Sequence, residues 1–111
     1  MRLAEIYLIR AEARARKATS DIVGSTADLD LVRSRAGLTP TTAVTSPAML
    51  DAILKERRVE LAHEAHRWFD LRRTNRLIST LAIPETFRAL WPIPQRERET
   101  SGFIIEQNTG Y

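Results

Sequence analysis

The sequence predicts an all-α fold, and three observations carry that prediction. Residues 2–17 contain neither Gly nor Pro and are rich in Ala, Leu, Glu and Arg, all good helix formers. Residues 48–73 lack both helix breakers as well. In both stretches the apolar side chains recur every three or four positions, the spacing that lines one face of a helix.

The first helix is predicted over residues 2–17. Leu3, Ile6, Tyr7 and Ala11 trace its apolar face, with Ala4, Leu8 and Ala15 beside them and Glu5 and Glu12 away from the Leu3 stripe. Residues 19–26 read as a connector containing Gly24. Ser25 or Thr26 then caps a second helix, with Ser25 and Asp28 at capping-box spacing. Leu29, Val32 and Ala36 form its apolar face, Gly37 ends it in the left-handed conformation, and Pro40 follows. Such a helix–loop–helix, ~35 residues long, has the size of one tetratricopeptide hairpin.

Residues 39–46 form a loop. Ser46 is placed to cap a third helix, with Pro47 as its first residue. That helix is predicted to run to Arg73, long and central, with a break allowed for. Leu50, Ile53, Leu54, Arg57, Leu61 and Trp68 trace one stripe along it, and Val59, Ala62, His66 and Phe69 a second, which predicts burial on more than one side. Beyond Asn75 the periodicity weakens. A short helix is expected around residues 85–90, and Trp91-Pro92-Ile93-Pro94 imposes an extended path. The remainder reads as an irregular tail whose Trp91, Ile93, Phe103, Ile104, Ile105 and Tyr111 require a cover, so the chain is expected to pack on material outside itself.

Composition narrows the functional classes. The absence of Cys excludes disulfides, thiol nucleophiles and thiolate metal sites. No apolar run approaches the ~20 residues of a membrane-spanning helix. The net charge of +3 arises from 17 basic and 14 acidic residues mixed along the chain, unlike a dedicated nucleic-acid stripe. No glycine-rich phosphate loop, nucleophile elbow or other catalytic constellation is present, and no cofactor is called for.

Three clusters carry chemistry in principle. Glu60-Leu61-Ala62-His63 matches the Glu-x-x-His unit of di-iron bundles, but a second unit is missing, and Arg67 stands where a zinc motif would need its second His. Glu56, Glu60 and Glu64 form an i, i+4 column of like charge. A metal or sugar-hydroxyl site is one use of it. The preferred reading is an Arg–Glu network, with Arg57, Arg67 and Arg10 as candidate cations, because a buried Arg57 must be paired. Arg67-Trp68-Phe69-Asp70-Leu71-Arg72-Arg73 would suit nucleic acid through its arginines and Trp68. It equally suits an aromatic anchor in which Asp70 pairs with Arg67 and Arg73. With Trp68 read as core, Trp68→Ala is expected to cost ~3–5 kcal/mol.

Three segments in order resemble the C-terminal region of the SusD/RagB family, across essentially the whole chain. They are Arg2-Leu3-Ala4-Glu5-Ile6-Tyr7-Leu8-Ile9-Arg10-Ala11-Glu12-Ala13 with Asp30-Leu31-Val32-Arg33-Ser34-Arg35-Ala36-Gly37-Leu38; Leu54-Lys55-Glu56-Arg57-Arg58-Val59-Glu60-Leu61-Ala62 with Glu64 and residues 67–73; and Trp91-Pro92-Ile93-Pro94-Gln95-Arg96-Glu97 with Gln107-Asn108-Thr109-Gly110-Tyr111. The sequence departs from the family pattern at His63, commonly a large apolar residue there, at Ala65, commonly Gly, and at Thr109, usually Pro.

The resemblance implies a helical protein with tetratricopeptide-like hairpins, and a non-catalytic outer-membrane lipoprotein that captures oligosaccharides or other nutrients at the cell surface. It implies delivery of that cargo to a TonB-dependent outer-membrane transporter, with the membrane reached only through a lipid anchor on an N-terminal part missing here. Residues 1–111 would then be a single C-terminal region of a longer protein. Arg57, Glu60, Glu64, Arg67, Trp68, Asp70 and Arg72 would be structural. Trp91 and Tyr111 are the candidates for stacking on a sugar. A tetratricopeptide-like protein-interaction module is the alternative reading.

Overall fold

The computed structural model describes residues 2–111. Among them it contains six α-helices, one short 3-10 helix and no strand: α1 (Leu3–Ala15), α2 (Ile22–Arg35), α3 (Ser46–Glu60), α4 (His66–Arg73), α5 (Leu77–Leu81), the 3-10 helix (Thr86–Ala89) and α6 (Gln95–Thr100). The fold is therefore all-α, as the helix-forming composition predicts. The chain divides into two compact units, one through Arg67 and the other Trp68–Tyr111.

In the first unit α1 packs against both α2 and α3. Ala4, Leu8, Ala11 and Ala15 of α1 meet Leu29 and Val32 of α2 and Met49 and Ile53 of α3 in one buried cluster. Three of the four α1 positions are Ala, which lets the neighbouring helices approach closely. The buried face of α1 is thus the alanine side, and Leu3 and Ile6 of the expected stripe lie exposed.

The helix ends show how local chemistry and packing share the work. Asp21, not Ser25 or Thr26, caps α2: its carboxylate accepts from the amide of Gly24 at 2.8 Å. Gly24 lies inside the helix. Ser25 is buried and its hydroxyl donates to the Ala11 carbonyl at 2.8 Å, tying α2 to α1. Gly37 (φ 71°) ends α2 as expected, and the Gly37 and Leu38 amides close a Schellman motif onto the Ser34 and Arg33 carbonyls. Thr45 caps α3, one residue before the expected Ser46, and Ser46 donates instead to the Ala15 carbonyl at 2.7 Å, satisfying the end of α1.

The predicted long central helix is interrupted. Residues 61–65 form turns between α3 and α4, with His63 at φ 65° and Ala65 at φ 60°. Each left-handed non-glycine residue costs about 1–2 kcal/mol. Ala65→Gly removes that penalty and is expected to raise stability by about 1 kcal/mol, read as a higher urea midpoint at unchanged m-value. Burial on two sides of the third helix is not observed either. Met49, Ile53, Leu54, Glu56 and Arg57 are buried on α3, whereas Val59 and Phe69 of the second stripe are 67% and 55% exposed.

The second unit is more ordered than the irregular tail the sequence predicts. α4 ends at Asn75 (φ 57°), with the Arg76 amide donating to the Leu71 carbonyl at 2.8 Å. Leu71 and Leu77 are its buried apolar residues. The 3-10 helix falls where a short helix is expected around residues 85–90. Helices α5 and α6 hold five and six residues, too few to show a period. Trp68 is only half-buried, so its truncation is expected to cost about 1–3 kcal/mol by urea unfolding, below the range for a fully enclosed ring.

Candidate functional site

The acidic column on α3 is neutralised by arginines from elsewhere in the first unit. Glu56 is bound by Arg33 of α2 at 2.9 Å. Glu60 receives Arg35 at 2.6 Å and Arg2 at 3.0 Å, and Arg2 also reaches Glu64. The expected network exists, with different cations. Arg10, placed there by the sequence reading, belongs to a second network. Arg57 lies buried on the apolar face of α3, as its stripe predicts. Arg67 is half-buried and Arg72 exposed.

The second network joins α1 to α2. Asp28, only 2% exposed, accepts from Arg10 Nε and Nη2 at 2.9 and 2.6 Å and from Arg14 Nη1 at 2.7 Å. Arg14 Nη1 also donates to the Gly24 carbonyl at 2.9 Å. A buried carboxylate holding three charge-assisted bonds is well compensated for its desolvation. The Asp28 hydrogen bond raises the Arg10 pKa above its ordinary value, outweighing the opposing effect of desolvation. The stabilisation from this raised pKa is complete below the ordinary arginine range and fades only as pH rises through the raised value. Acid and neutral titrations therefore leave Arg10 charged.

In the second unit the two candidate sugar-stacking residues belong to the same end of one laced structure. Gln107 brackets Ile93, accepting from its amide at 2.8 Å and donating to its carbonyl at 3.0 Å. Asn108 Nδ2 donates to the Trp91 carbonyl and the Tyr111 hydroxyl to the Leu90 carbonyl, at 2.8 and 2.7 Å. These side chains replace a strand ladder for residues whose prolines cannot donate. Trp91 is 62% exposed, with Trp68 and Phe69 at ring-centroid distances of 6.5 and 6.3 Å. Tyr111 stands edge-on to Phe87 at 5.1 Å.

Gly110 makes that last contact possible. At φ 103°, it would place an added Cβ 2.5 Å from Phe87 Cγ. Gly110→Ala is expected to cost about 1–3 kcal/mol and to undock the C-terminus, read as faster proteolysis after Gln107.

Other sequence candidates are not assembled into a site. His63 is exposed, and His66 Nε2 lies 3.7 Å from Glu5 Oε1. Asp70 is buried and accepts from Arg73 at 3.0 and 2.8 Å, so the Asp70–Arg73 pairing expected of the aromatic anchor is present. The laced pairing of residues 90–93 with 107–111 was missed by periodicity. Its only sequence signal is the run of amide side chains, Gln107-Asn108, opposite a proline-rich segment that leaves carbonyls unpaired.

The arrangement is that of an all-helical protein whose charged residues tie helices together and whose aromatic residues reach the surface. The model of the SusD family matches residues 1–88, and the chain belongs to that family. Its proteins bind glycans and other nutrients at the outer membrane and are not enzymes. Neither the comparison with curated proteins nor that with solved structures returns a match. Among the described residues no helix is long and apolar enough to cross a membrane.

Proposed function

We propose that this chain is the scaffold-like C-terminal part of a non-catalytic, surface-exposed outer-membrane lipoprotein that captures an oligosaccharide or other nutrient for a TonB-dependent transporter. Family membership over residues 1–88 carries the reading. The fate of the motif residues supports the scaffold role. Glu56, Glu60 and Glu64 are engaged by Arg2, Arg33 and Arg35, and Asp70 by Arg73. Side chains so engaged serve the fold rather than a ligand.

The same observation weighs against nucleic acid, since many of the arginines a phosphate backbone would need are held by carboxylates. The test is retention of the purified chain on glycans at low and high salt, beside a duplex DNA control. The reading predicts no salt-labile retention on DNA, and that any retention on a glycan persists at both salt concentrations. Salt-labile retention on DNA without glycan binding would overturn the reading.

A second reading rests on the outer side of the hairpin, where Leu3, Ile6, Ile9 and Leu31 are exposed. A helical-hairpin interaction module would use that surface for a protein partner. Ile6→Asp would then abolish partner capture while leaving glycan retention intact.

A further inference from the structure

Nothing in the composition of residues 61–65 breaks a helix. Leu61, Ala62, His63, Glu64 and Ala65 include strong helix formers and neither Gly nor Pro. Yet α3 ends at Glu60, α4 begins at His66, and His63 and Ala65 stand in the left-handed region at φ 65° and 60°. The backbone there adopts a form that its own residues oppose, so contacts from outside the segment must hold it.

Arg2 makes those contacts. Its Nη2 donates to the Glu60 carbonyl oxygen at 2.5 Å, and the same guanidinium reaches Glu60 Oε1 at 3.0 Å and Glu64 Oε1 at 2.5 Å. In an unbroken helix the Glu60 carbonyl would accept from the Glu64 amide, four residues on. Here the Glu64 amide donates instead to the Leu61 carbonyl at 3.2 Å. One side chain therefore occupies the acceptor that a continuous helix requires and ties the carboxylate at the end of α3 to one inside the break. Its positive charge also sits at the C-terminal end of α3, where a cation is favoured.

We propose that residues 61–65 are a two-state element latched by Arg2. With the guanidinium on the Glu60 carbonyl the helix is broken. With Arg2 withdrawn, the Glu64 amide recovers that carbonyl and residues 46–73 run as one helix. Arg2 is 43% exposed at its side chain, so the latch can be reached from solvent. It operates whether or not the chain handles glycans.

The test is the backbone chemical shifts of His63 and Ala65 in the isotopically labelled chain. The wild type is expected to give left-handed values at both residues. Arg2→Ala is expected to move both into the right-handed helical range, with sequential helical contacts continuous from Glu60 to His66. Arg2→Ala combined with Ala65→Gly, which favours the left-handed form, is expected to restore the break. Left-handed shifts persisting in Arg2→Ala would overturn the proposal, because the break would then be intrinsic. So would random-coil shifts confined to residues 61–65, or loss of dispersion throughout α1–α3, since neither is a second ordered state.

Discussion

Leu8→Ala is expected to lower the stability of the first unit by about 3–4 kcal/mol. Leu8 is completely buried, and its neighbours in the cluster include Ala4, Ala11 and Ala15, which cannot swing in to fill the vacated volume. The loss is therefore placed above the lower end of the range of about 2–5 kcal/mol for core Leu→Ala changes. A unit of this size has a total stability of about 3–10 kcal/mol, so one such cavity removes much of it. Far-UV circular dichroism during urea unfolding checks this. A loss under about 2 kcal/mol would show that the cluster relaxes, contrary to tight packing around Leu8.

Asp28→Ala is the second large effect, expected at about 2–4 kcal/mol. The substitution removes the acceptor of three charge-assisted bonds and leaves the like charges of Arg10 and Arg14 one turn apart on the same face of α1. Both guanidiniums are partly exposed and recover some solvation, which holds the cost below that of a fully buried broken pair. Asp28→Asn keeps the volume and one acceptor oxygen, and its loss should be about half as large. Equilibrium urea unfolding of the two variants separates charge from packing. Equal losses would assign the effect to charge alone.

Where a residue's role is decided by its own neighbours in sequence, the chain is legible. Gly37 ends α2 because a Schellman turn needs a left-handed residue just there. The alanine-rich first helix and the all-α class follow from composition and spacing. Where tertiary contacts compete, it is not. Ser25 has the chemistry of a cap, yet its hydroxyl serves the Ala11 carbonyl, because α2 has a better cap in Asp21. The interruption at residues 61–65 has no local signature at all. The acidic column announces itself at i, i+4 spacing, but its cations arrive from α2 and from Arg2, and only the docking of helices selects Arg33 and Arg35 over Arg10. Trp91 and Tyr111 are exposed, and the candidates for sugar contact remain those two rings, now seen at one end of a hydrogen-bonded segment.

Charged residues of the SusD-family motifs in this chain bind one another across helices. A double-mutant cycle on Arg33 and Glu56, read by urea unfolding, tests that most directly. The pair is mostly buried and spans α2 and α3, so a coupling energy of about 1–2 kcal/mol is predicted. A coupling under about 0.3 kcal/mol would contradict it, showing that the Glu56 carboxylate is free for another use.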